Sequence, residues 1–246
     1  MHLFLTSSPC DDHVPQGCDL PCILFEKNQF VSRLRSLIAP GGVCAIVAAD
    51  PHNHRLNDEM AVTFHRAFAW HGMTFRSTEL VDDRSVENLP ALLEVSRLVI
   101  LAGGHVPTEH AFFEQIGLRE RLQGYDGVVM GISAGSMNCC TEVYAQPEEP
   151  GEATDPGYVR FFPGLGLTDI MVLPHFQRVR NNWLDGMRLI DDITLGDSVG
   201  RVFYALPDSS YVLVEDGHAT LYGEAWQILD GAMRQIASEG DVLRLV

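Results

Sequence analysis

Positive charge is scarce in this chain of 246 residues: 17 Lys and Arg stand against 33 Asp and Glu, a formal net charge of −16. Binding a phosphate backbone needs a basic surface, so nucleic acid is not an expected partner, and an anionic membrane surface is disfavoured on the same ground. Long hydrophobic runs are also lacking, and none approaches the roughly 20 residues of a membrane-spanning helix. The opening Met1–Ser8 has no cationic leader and little apolar length, so a first β-strand is expected there rather than a secretory signal. Cysteine is too sparse for a disulfide scaffold. The six (Cys10, Cys18, Cys22, Cys44, Cys139 and Cys140) include an adjacent pair and read as reduced thiols of a cytoplasmic protein. Cys10, Cys18 and Cys22 with His13 match no standard zinc spacing, and Asp50, His52 and His54 read as a solvated loop. Neither metal nor organic cofactor is expected.

What is present is ordinary globular material, 46% hydrophobic and 20% charged, enough for one α/β domain over residues 1–246. Apolar residues occupy consecutive positions at Cys44–Ala49, Leu98–Ala102, Gly127–Met130 and Met171–Leu173, as strands covered on both faces require. Helical patterns lie between them, at 29–38, 86–94, 108–123 and 182–193. A further helix is capped by Asn57, carries Met60, Phe64, Ala67, Phe68 and His71 on one stripe, and stops at Gly72. The alternation predicts a doubly wound, mostly parallel sheet flanked by helices. Four strand-like segments from Ser210 to Ala237, with Asp216-Gly217 and Asp230-Gly231 as hairpin turns, predict antiparallel C-terminal strands on the same domain. Residues 142–160, rich in Glu, Pro and Gly, read as a long loop beside the active site.

Gly131-Ile132-Ser133-Ala134-Gly135 directly follows a buried strand and can open a helix. A sharp strand-to-helix turn exposes the central hydroxyl, and small flanking residues allow the backbone to close around it. The Ala134 N–H, next in line, is a natural oxyanion donor. Ligands of open α/β sheets bind at the carboxyl ends of strands, which favours chemistry here over a Gly/Ser-rich connector. A serine hydroxyl needs a base. Of the ten histidines, His175 alone comes straight after an apolar strand run, Met171–Pro174. A carboxylate should orient it; Asp208 ends the strand-like Val202–Pro207, with Glu142, Glu148, Glu149, Glu152, Asp155 and Asp169 as rivals.

These residues resemble the aspartyl dipeptidase (peptidase E) and cyanophycinase family of serine peptidases. The resemblance runs from Met1 to about Gly217 and is carried by Gly131–Ser136, His175-Phe176, Ala102-Gly103-Gly104 and Ala205–Ser210. It implies a fold similar to class I glutamine amidotransferases, and the order serine, histidine, acid differs from that of α/β-hydrolases. It further implies Ser133 as nucleophile, His175 as base and Asp208 as acid, with Gly103 beside the nucleophile and Gly104 giving the second oxyanion N–H. The family's acid is usually glutamate; here an aspartate stands. His105 and Val106 replace the amide side chain that often follows the glycine pair, and Ser136-Met137 replaces the Ala-Asn of peptidase E. Arg178 and Arg180 are candidates to clamp a substrate carboxylate. The expected partner is a small peptide, with self-association as a homodimer left open. The expected function is hydrolysis of short peptides or isopeptides, with a lean towards acidic ones. The alternatives are an esterase or amidase of small metabolites and a non-catalytic binding protein on the same fold.

Overall fold

Strands that are apolar at consecutive positions need a cover on each face, and the computed structural model, which describes residues 1–245, provides two. Strands β1 (His2–Thr6), β2 (Val43–Val47), β3 (Ser77–Val81), β4 (Ser96–Leu101) and β5 (Val128–Ile132) form the parallel part of an eight-stranded sheet. They lie in the order β1-β5-β4-β2-β3, and Leu5 pairs with Gly131 and Thr6 with Ile132. Alternate side chains face opposite layers. Phe4, Ile46, Ile100 and Met130 pack under helices α1 (Phe30–Leu37) and α2 (His54–Trp70), beside Phe30, Leu34, Phe64 and Phe68. Leu5, Val47, Leu101 and Val129 face the other cover, formed by α3 (Leu89–Val95), α4 (Val106–Gln115), α5 (Leu118–Leu122) and a second sheet.

That second sheet contains strands expected elsewhere. The other strands of the two large sheets are β6 (Met171–Leu173), β7 (Val202–Ala205), β8 (Tyr211–Glu215), β9 (His218–Tyr222), β10 (Ala225–Leu229), β11 (Ala232–Ala237) and β12 (Val242–Arg244). β8, β9 and β12 extend the β1 edge of the central sheet antiparallel. β6, β7, β10 and β11 form the separate four-stranded sheet, with β6 parallel to β7. The C-terminal strands are therefore antiparallel as expected, but they divide between two sheets. Gly223, at φ 98°, turns the chain from one to the other. Met171–Leu173 is buried by packing of the second sheet onto the first, so its apolar run carries no information about which sheet holds it.

Other expectations shift in detail. The helix expected at 108–123 is broken at Gly117, whose φ of 60° ends α4 and starts α5. α2 begins at His54, so Asn57 is not its cap; it is buried and donates its Nδ2 to the Asp50 carbonyl at 3.0 Å. The segment 182–193 is largely not an α-helix. Trp183–Leu184 and Met187–Arg188 form a hairpin on Asp185-Gly186, both with positive φ, before a π-helical turn at Leu189–Thr194. Within 142–160, Glu142–Tyr144 pairs antiparallel with Phe161–Pro163 and anchors the intervening excursion. No described helix is long and apolar enough to cross a membrane.

Phe4 is fully buried at the centre of β1, edge-on to Phe30 at 5.8 Å and beside Tyr211 at 5.6 Å. Phe4→Ala is expected to lower unfolding stability by about 3–5 kcal/mol, measured by denaturant titration.

Candidate active site

β5 ends at Ile132 and helix α6 (Ala134–Asn138) begins one residue later, so Ser133 alone makes the turn. Its φ of 52° and ψ of −113° lie where non-glycine residues are strained. Two glycines make this turn feasible. A Cβ on Gly131 would sit 2.6 Å from the backbone of Ser136, and one on Gly135 would overlap the Leu101 carbonyl. The Ser133 N–H donates to the carbonyls of Thr6 and Ser7 at 3.0 and 3.1 Å, and the Ser136 hydroxyl donates to Thr6 at 2.8 Å. The end of β1 thus holds the turn.

His175 follows β6 and precedes helix α7 (Phe176–Val179), with φ 54° and ψ 33°. Its N–H donates to the Ser7 hydroxyl at 2.7 Å, which in turn donates to Asp208 Oδ1 at 2.8 Å. The ring then spans two partners. Its Nε2 lies 2.9 Å from Ser133 Oγ and its Nδ1 2.7 Å from Asp208 Oδ1. Gln177 donates its Nε2 to Asp208 Oδ2 and accepts the Asp208 N–H at 3.1 Å. Burial acts to raise the Asp208 carboxyl, but hydrogen bonding and charge from His175, aided by Ser7 and Gln177, outweigh it and hold the group below its ordinary range. An ionised carboxylate, an imidazole and a hydroxyl therefore stand in line. In such a line the imidazole can take the hydroxyl proton while the carboxylate stabilises the resulting imidazolium.

Gly103 and Gly104 follow β4. A Cβ on Gly103 would lie 3.3 Å from Ser133 Cβ, and one on Gly104 would press on Ala49 at 2.7 Å. Among the described residues, neither the Ala134 N–H nor the Gly104 N–H donates to a protein acceptor. The cavity at Ser133 and His175 holds about 210 Å³ and is bordered by Met137, Pro174, Val179, Leu189 and Glu148. His105 is turned to the loop, its Nδ1 near Thr108 and its Nε2 2.8 Å from Glu152. Arg178 and Arg180 do not border the cavity. Arg178 reaches back to Asp208 Oδ2 at 3.6 Å, and Arg180 lies over the Trp226 and Phe176 rings. Of the rival acids, Glu142 pairs with Arg201, Glu152 with His105, and Asp155 accepts the Gly157 N–H. Among the carboxylates of the described residues, Asp208 alone meets the imidazole of His175.

Residues 48–222 match the family described as Peptidase family S51. The chain belongs to peptidase family S51. It is accordingly a serine peptidase, and its fold is shared with solved structures at low identity. A peptidase from an acI-B1 Actinobacterium aligns at TM-score 0.66 and 16% identity, covering 99% of this chain and 96% of that one. A candidate peptidase E protein from Listeria monocytogenes EGD-e aligns at TM-score 0.59 and 12% identity, covering 96% and 98%. No curated protein sequence matches significantly.

Among the described residues, two triplets of potential metal ligands occur, Asp11/Asp12/His13 and His54/Asp82/Asp83, and neither borders the cavity. In the second, Asp82 is already bound by Arg84, and Asp83 by His52 and His54. Nothing in the sequence marks Ser7 or Gln177, since a serine after a first strand and a glutamine in a short helix carry no chemical signature. The same is true of Glu109, fully buried on α4 behind the turn and accepting the Asn138 Nδ2 at 2.9 Å.

Burial drives the Glu109 carboxyl well above its ordinary range, against the smaller opposing effect of Asn138. The unfolded chain releases this proton near pH 4.5 while the folded chain keeps it, so stability falls as pH rises above that point. Glu109→Gln is expected to flatten the loss of stability as pH rises above about 4.5, read from denaturation midpoints at several pH values.

Proposed function

We propose that the peptidase hydrolyses short peptides or isopeptides through a Ser133–His175–Asp208 triad. The observation carrying this reading is the pair of contacts made by one ring, 2.9 Å to the Ser133 hydroxyl and 2.7 Å to the Asp208 carboxylate. Ser133 attacks the scissile carbonyl as His175 Nε2 accepts its proton. The carbonyl carbon becomes tetrahedral, and its oxyanion is met by the N–H groups of Ala134 and Gly104, which have no other protein acceptor among the described residues. His175 returns the proton to the leaving amine, releasing it and leaving an acyl-enzyme. Water then attacks the acyl carbon, with His175 again taking and returning a proton, and the peptide acid departs.

Asp208 is one methylene shorter than the glutamate common in the resembling family, yet it reaches the ring. Support for its role comes from Ser7 and Gln177, which fix the carboxylate from two further directions. The arginines expected to clamp an acidic substrate point elsewhere, so an acidic preference does not form part of this proposal.

Ser133→Ala is expected to reduce peptide hydrolysis by at least about 10⁴-fold with unfolding temperature maintained, measured on a panel of dipeptides. Full activity in that variant refutes the triad. Asp208→Asn is expected to lose about 10³–10⁴-fold in kcat, because the imidazole loses both its orienting acceptor and its counter-charge.

A further inference from the structure

Glu148 stands out once the arginines are found outside the cavity. Of the residues bordering the space at Ser133, only His175 and Glu148 are ionisable, and His175 is engaged by the triad. The remaining wall is apolar at Met137, Pro147, Pro174, Val179 and Leu189, with the uncharged amides of Gln146 and Asn182 completing it. An acidic side chain entering this space meets a carboxylate and no free cation. We propose that Glu148 selects the substrate by accepting a protonated amine of the peptide, an amino-terminal ammonium or a basic side chain, next to the bond held at Ser133. This inference rests on the triad reading above and adds the substrate class.

The loop is built to present this side chain. Glu152 Oε2 accepts the N–H groups of Glu148 and Glu149 at 2.8 and 2.9 Å, while its Oε1 holds His105 Nε2 at 2.8 Å. His105, immediately before α4, therefore clasps the loop against that helix and fixes the backbone at position 148. The Glu148 carboxylate is open to solvent at the cleft but closely ringed by protein. His105, His175 and the Val106 N–H favour its charge; Glu152 opposes it, with Glu109 and Tyr158 also nearby. Desolvation dominates and pushes the group up to about 7. A carboxylate so poorly compensated gains more from a bound ammonium than one already paired with arginine.

The test uses matched substrates. One pair is an aminoacyl anilide with a free amino terminus and its acetylated counterpart. The second is acetyl-lysyl against acetyl-norleucyl anilide, which separates the side-chain source of the amine from the terminal one. The wild-type protein is expected to favour the amine-bearing member of one pair by about 10–100-fold in kcat/KM, and Glu148→Gln to bring that ratio close to one. Glu148→Asp, which keeps the charge, is expected to retain part of the preference. For the lysyl pair, whose ammonium stays charged across this range, the ratio should rise with pH through about 7 in the wild type, as the carboxyl loses its proton, and be flat in Glu148→Gln. Calorimetric titration of uncleaved peptides into Ser133→Ala reads the same preference without turnover. A preference that persists undiminished in Glu148→Gln, equal handling of both members by the wild type, or a preference for acidic peptides overturns the assignment. Hydrolysis surviving in Ser133→Ala defeats the parent reading instead, so the two failures are distinguishable.

Discussion

Geometry at the cleft depends on how the end of β1 is hydrogen-bonded. The Thr6 and Ser7 carbonyls accept the Ser133 N–H, and the Ser7 hydroxyl accepts the His175 N–H while donating to Asp208. One dipeptide thereby gathers three residues that lie far apart along the chain and in two different sheets. Both Ser133 and His175 have positive φ, at 52° and 54°, each a conformation that costs roughly 1–3 kcal/mol in a side-chain-bearing residue. Such strain persists only where the surroundings over-determine it. Here they do so with backbone hydrogen bonds from β1, close packing at Gly131 and Gly135, and the docking of the second sheet on the first.

Three carboxyl groups around this knot show how environment sets charge. Asp208 has donors on every side and is held ionised. Glu109, enclosed in the core with no cation at hand, is held neutral. Glu148, at the rim with partial compensation, lies between them at about 7. The proposed division of labour follows from these differences: a fixed counter-charge for the imidazole, a neutral packing element behind the turn, and a carboxylate available to the substrate. Formal net charge gives no hint of this, since most of the acidic residues behind the value of −16 are not in the cleft.

Much of the fold was legible because buried parallel strands leave an unambiguous trace. Val43–Val47, Leu98–Leu101 and Val128–Ile132 are apolar along their length, whereas the edge strand Ser77–Val81 is mostly polar and leaves no such trace. The Ser133 turn was legible for the opposite reason, since two obligatory glycines bracket a hydroxyl. Sheet membership was not legible: Met171–Leu173 is apolar in either sheet, and a three-residue strand contains no register information. The hairpin at Asp185-Gly186 carried a turn signal of its own, overridden by the surrounding helical spacing. Among the site residues, His175 and Asp208 could be located by their place after strands. Ser7, Gln177 and the cavity-facing direction of Glu148 could not, because their significance is created by tertiary contacts alone.

The central claim is that one hydroxyl, two backbone N–H groups and one imidazole surround a single reacting carbon. A crystal structure of the protein after reaction with a fluorophosphonate tests all of these together, since the phosphorus mimics the tetrahedral centre. The account predicts phosphorus bonded to Ser133 Oγ, its phosphoryl oxygen within hydrogen-bonding distance of the Ala134 and Gly104 N–H groups, and His175 Nε2 beside the remaining oxygens. Phosphorus on another residue, or a phosphoryl oxygen turned away from both N–H groups, would contradict it.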